Sequence, residues 1–186
     1  MATAMDDRRQ ALTCLLVADQ FWHAFKMLHA NEKLFQDELI EAMEDVDSLE
    51  EAADRVQSSG INATGIAAIV NIAFATELYL KAYHVATGTG WQRGHNTRKL
   101  FDELSDQARR QLFQSLSENG TGNTEPNVLV RLSHNSDAFE KFRYFHEIPE
   151  ASYMIGFAQN LATSLQSLLK PFRDEQANAL RDYLAD

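Results

Sequence analysis

Apolar residues recur every three or four positions along most of the chain, and no useful stretch alternates with the period of two that a strand requires. Leu12, Leu15, Leu16, Phe21, Trp22, Phe25 and Leu28 form one stripe and predict a helix over residues 7–30. Asn31 reads as its stop, while Leu34, Leu39, Ile40, Met43 and Val46 keep helical spacing beyond it. Ser48 with Glu51 three residues on has capping-box spacing and predicts a short helix over 48–59, which Ser58-Ser59-Gly60 breaks. The stretch 63–86 is the most apolar, with hydrophobic residues on more than one face and alanines that let another helix approach closely; it predicts a central helix ended by Gly88 and Gly90. Asn96 or Thr97 should cap a helix through Leu104, and Ser105 another through Leu116. Residues 117–127 read as a polar loop, and 128–146 as helical with a break at His134-Asn135-Ser136. A long last helix is expected from 150, ended or kinked by Pro171, with 172–185 as a helical tail.

These elements predict an all-α antiparallel bundle with its long central helices at 63–86 and 150–170. The N-terminal helices would pack around the outside. We place a boundary at 60, dividing an N-terminal helical extension (1–60) from the bundle proper (61–186). A chain of 186 residues is long enough for a sizeable core. No run approaches the ~18–20 apolar residues of a membrane span, and MATAMDDRRQ does not read as a signal peptide. A cytoplasmic protein without membrane contact is the expectation. The single cysteine, Cys14, sits among leucines and reads as core, with no intrachain disulfide to form.

Charge changes this picture in one respect. The net charge is −10, but residues 31–54 hold ten acids against Lys33 alone, so the rest of the chain is nearly neutral. Residues 81–110 hold six bases (Lys81, Arg93, Arg98, Lys99, Arg109 and Arg110) against Asp102, Glu103 and Asp106. Either a local basic region is available to phosphate, or a solvated acidic helix adjoins an ordinary mixed surface.

Few residues suggest chemistry. Glu77 and Lys81 stand at i,i+4, as a surface ion pair or as part of a polar cleft in which His95 or Arg143 meets Glu77. Arg143 and His146 share a helix face, a fixed cation beside a proton carrier, and Tyr144 adjoins them. His95 follows Gly94 directly before a helix, where backbone N–H groups attract anions, with Arg98 close behind. Asp19 and His23 read as a simple helix pair. No histidine has a carboxylate three residues before it, and HExxH is absent, so neither a metal nor a cofactor is expected. Gly88, Gly90 and Gly94 follow a helix instead of a strand, which excludes a dinucleotide fingerprint.

The order of these features, a Glu77-x-x-x-Lys81 helix, a loop, Gly94-His95, a Leu100-Phe101-x-x-Leu104 helix and then Arg143-Tyr144, resembles the HEPN family (higher eukaryote and prokaryote nucleotide-binding). The likeness covers residues 63–170. It implies a small helical bundle that pairs as a homodimer, with a polar cleft between the two copies. Binding residues would be Glu77, Lys81, His95, Arg98 and Tyr144. Active members carry an arginine and a histidine at a longer spacing than the two residues separating Arg143 from His146 here. The expectation is therefore a non-catalytic module that binds RNA, a nucleotide or a protein partner encoded nearby, in stress or defence. The alternatives are a metal-independent ribonuclease using Arg143 and His146, and a structural oligomerisation domain.

Overall fold

A computed structural model describes the backbone of residues 2–120, 123–143 and 152–185, and every regular element in them is helical. In chain order these are α1 (Ala2–Ala42), α2 (Leu49–Ser58), α3 (Gly65–Ala86), α4 (Thr97–Asp102), α5 (Asp106–Asn119), α6 (Glu125–His134), α7 (Ala138–Arg143) and α8 (Ile155–Ala185). The protein is an all-α bundle. The caps are those the sequence specifies: Ser48 accepts from the Glu51 N–H, Asn96 from that of Lys99, and Ser105 from that of Ala108. Pro126 sits in the first turn of α6, where its missing N–H costs nothing.

The main core joins α1, α3 and α8 with the shorter helices. Ala11, Leu15 and Ala18 of α1 bury with Ala75, Tyr79, Leu80 and Ala82 of α3 and with Leu161, Leu165 and Leu169 of α8. Alanines on both facing helices let the α1 and α3 backbones approach, and α1 packs along α3 more extensively than any other pair. The first helix thus gives one face to the main core and leaves its opposite face exposed. Phe25 forms a second cluster with Ala68, Ile72 and Ala158, and the far end, with Phe35 and Ala42, a third with Ala52 and Val56 of α2.

Two expectations are corrected, at Asn31 and at Asp19, and two others are refined. Asn31 does not stop α1: its side chain donates to the Asn62 carbonyl at 2.8 Å and to the Thr64 hydroxyl at 3.4 Å, tying the turn before α3. Next to it, Glu32 accepts from the Thr64 N–H at 2.6 Å, placing a carboxylate at the positive end of α3. Of the two outcomes expected at Pro171, an end or a kink, the end does not occur: α8 continues through it, because Leu169 and Phe172 bury on either side and Arg173 is held by α1. Asp19 does not serve His23. Arg173 donates to both its oxygens at 2.6 and 2.7 Å, the Tyr79 hydroxyl donates at 2.7 Å, and Gln166 donates to that hydroxyl. Burial pulls the Arg173 guanidinium down, but the hydrogen bonds and charge of Asp19 outweigh it and raise its pKa overall. Finally, α3 has the length and mean hydropathy, 1.3, of a membrane span; 61% of the apolar window is buried against the rest of the bundle.

Candidate functional site

Glu77 lies on the most apolar helix, and its side chain is 1% exposed. An isolated carboxylate there would be costly. Two side chains answer it. Lys81, one turn on and itself buried, donates to Oε1 at 2.6 Å. His95 arrives from the loop after α3, with Nδ1 3.0 Å from Oε1 and 3.2 Å from Oε2, so its Nδ1–H is the donor. The His95 side chain is 52% exposed, so the cluster runs from a buried ion pair to an imidazole at the surface. The Lys81 ammonium also lies 5.9 Å from the centroid of the Trp91 ring, within cation–π range. Burial pushes the Cys14 thiol up, with the charge of Lys81 lowering it and that of Glu77 raising it.

The loop that delivers His95 depends on glycine. Gly88 at φ +80 follows the C-terminus of α3, where the Thr89 N–H returns to the His84 carbonyl at 2.9 Å. Gly94, at φ +102, turns the chain immediately before His95, in a region that side-chain-bearing residues rarely adopt. Beyond it, the Thr97 N–H donates to the Ser136 carbonyl at 3.0 Å, and the Asn96 amide donates to Asp137 at 2.6 Å. These bonds fasten the start of α4 to the α6–α7 corner. Asn135 in that corner, buried, donates to the Met154 carbonyl and accepts from the Met154 N–H, fixing the entry to α8. Under α4, the buried His84 donates from Nε2 to the Leu100 carbonyl at 2.7 Å; burial depresses its pKa against the opposing effect of that bond.

Glu77 and His95 open on a narrow crevice whose polar wall includes Thr76, Thr97, Asn135 and Ser136 and whose apolar wall includes Tyr153 and Phe157. Its free volume is about 10 Å³, room for roughly one water molecule. The Tyr153 phenol, facing this wall and in edge contact with Phe142 (centroids 6.0 Å apart), is pushed up by burial.

Of the other sequence candidates, Arg98 is placed elsewhere. It donates to Asp102 at 2.8 and 3.0 Å and to the Leu129 carbonyl and Ser133 hydroxyl at 3.0 Å, linking α4 to α6. The basic stretch is largely neutralised locally: Lys81 pairs with Glu77, Arg98 with Asp102, Lys99 with Glu103 and Arg109 with Asp106. Tyr144, His146 and the Arg143 side chain lie outside the described residues. Among the described residues no group of three or more His, Cys, Asp or Glu side chains could hold a metal ion. Sequence reading missed a shallow groove of about 540 Å³ between α1 and α8, where Lys26, Lys170 and Arg173 outnumber Asp19. Its residues come from opposite ends of the chain, and no local motif joins them.

Comparison of the chain with family models, with curated proteins and with solved structures gives no match.

Proposed function

We propose that this chain is a HEPN-like helical module that binds a phosphate-bearing ligand, RNA or a nucleotide, at the His95 corner without cleaving it, in a stress or defence setting. The observation that carries this reading is the buried Glu77–Lys81 pair with a half-exposed imidazole mounted on it. A buried ion pair seldom adds net stability over apolar side chains of the same size. Its presence on an otherwise apolar helix calls for a role beyond packing. Here it fixes the tautomer and direction of His95, with Lys81 beneath and Trp91 and the exposed Arg93 on the same loop, a combination suited to stacking and phosphate contact. The tightness of the crevice supports binding at its mouth instead of insertion, and it supports the non-catalytic reading.

The test is fluorescence polarisation with a short labelled single-stranded RNA and, in parallel, a labelled nucleoside triphosphate, both in chelator. Binding should weaken steeply between about 50 and 200 mM salt and fall several-fold in His95→Ala, with the RNA left intact. An RNA signal alone, or a nucleotide signal alone, decides between the two ligands. Absence of both at the lowest salt overturns the reading in favour of a protein partner encoded nearby.

A second reading has one observation in its favour. Phe142 packs against Ala73 of α3 and Tyr153 lines the crevice, and the stretch of sequence between them contains Arg143 and His146. A metal-independent ribonuclease would use the histidine as general base toward a ribose hydroxyl and the arginine to stabilise charge on phosphorus. Cleavage in chelator, lost in both Arg143→Ala and His146→Ala with unchanged melting, would select it.

A further inference from the structure

The outer face of α1 carries a regularity that the bundle does not use. Arg9, Thr13, Leu16, Gln20, His23, Met27, Ala30, Leu34, Asp37 and Glu41 follow one another at alternating steps of four and three, the spacing of a coiled-coil seam. Every one of them is solvent-exposed, including Leu16 at 66%, Met27 at 64% and Leu34 at 46%. The opposite face of the same helix is the one buried against α3. None of the seam residues lines the crevice.

We propose that this face docks a second copy of the chain, α1 against α1, antiparallel about a two-fold axis at the level of Phe25. The order of residues is what selects that occupant. In an antiparallel pair centred there, Leu16 of each copy meets Leu34 of the other, Gln20 meets Ala30, and His23 meets Met27. At both ends Arg9 meets Glu41, so opposite charges close the seam twice. A parallel, in-register pair would instead set arginine on arginine and glutamate on glutamate, which repel. A self-complementary strip that matches itself only in one direction is the mark of an isologous interface.

Size sets the expected strength. Residues 9–41 span about 50 Å of helix, and a strip about 10 Å wide gives a footprint on the order of 500 Å² per copy. That is below the ~800 Å² per partner of a standard stable interface. Lys26, beside the seam near the axis, also faces its own counterpart. The pair is therefore a reversible dimer. It is distinct from the cleft-centred pairing that the family resemblance implies, and its test reads association alone, so it stands or falls separately from ligand binding at His95.

Sedimentation velocity over a dilution series of the full chain should show a monomer–dimer equilibrium. Leu16→Glu, at a position too exposed to disturb folding, should raise the dissociation constant at least tenfold. Arg9→Glu and Glu41→Arg should each weaken the dimer, and the two together should restore it. In a Cys14→Ala background, Gln20→Cys with Ala30→Cys should give a covalent dimer on oxidation, whereas Gln20→Cys alone should not. These two positions lie about 15 Å apart within one helix, too far to bridge internally. A parent that stays monomeric at the highest concentration, an unchanged Leu16→Glu variant, a double charge reversal no better than the singles, or efficient crosslinking through Gln20→Cys alone would each overturn the proposal.

Discussion

At the scale of single residues, Glu77 and Lys81 depend on each other more than either supports the fold. Removing the carboxylate alone, in Glu77→Ala, leaves a buried ammonium without its counter-ion, and removing the ammonium strands the carboxylate beside His95. Each single change should cost about 3–5 kcal/mol. Replacing both, as Glu77→Leu with Lys81→Met, should bring stability back to within about 1 kcal/mol of the parent or above it, because the apolar pair fits the surroundings of α3. Urea denaturation of the four proteins measures this cycle. A double variant as unstable as the sum of the singles would show the pair to be a mainstay of the fold, and would remove the ground for assigning it another task. His95 reaches this pair only because Gly94 reverses the chain at φ +102. The side chain to which the proposed binding is assigned is thus positioned by a residue that has none.

At the scale of elements, most helix starts could be read from local chemistry, while helix ends were decided by tertiary contacts. Asn31 has the side chain of a stop signal, but it is occupied with the turn before α3, so α1 runs on into the acidic stretch. Pro171 does not end α8, because Phe172 and Arg173 immediately after it are anchored to the core and to Asp19. Proline in a helix interior costs roughly 3 kcal/mol relative to alanine, and part of this is returned by its stiffening of the unfolded chain. Because residue 171 is exposed, Pro171→Ala should stabilise the protein by about 1–2 kcal/mol. For a chain of this size that is a rise in melting temperature of several degrees, about 2–4 °C per kcal/mol. Calorimetry checks it; an unchanged or lower melting temperature would mean that α8 depends on the ring of the proline.

At the scale of the whole molecule, the all-α class was legible because helical periodicity persists along nearly every segment. The place of α1 was not. Its stripe gave no weight to Ala11 and Ala18, too small to count in a hydrophobic pattern, yet these set its inner face against α3. The meeting of Glu77 with His95 could be raised from the sequence as one of two options, since both flank one loop. The tie of Asp19 to Arg173 could not, because 154 residues separate them. Charge was legible as a sum and not as an arrangement: Arg98, Lys99 and Arg109 stand beside acids on their own helices, while Arg93 is exposed on the loop that carries His95.

The contact between Lys81 and the indole at position 91 has a practical side. The chain has two tryptophans, and the other, Trp22, is stacked on Phe25 in α1. With Trp22 changed to Phe, all indole emission would come from beside the Glu77 cluster. The protein then carries a built-in lamp at one corner, dimmed or shifted by whatever settles there.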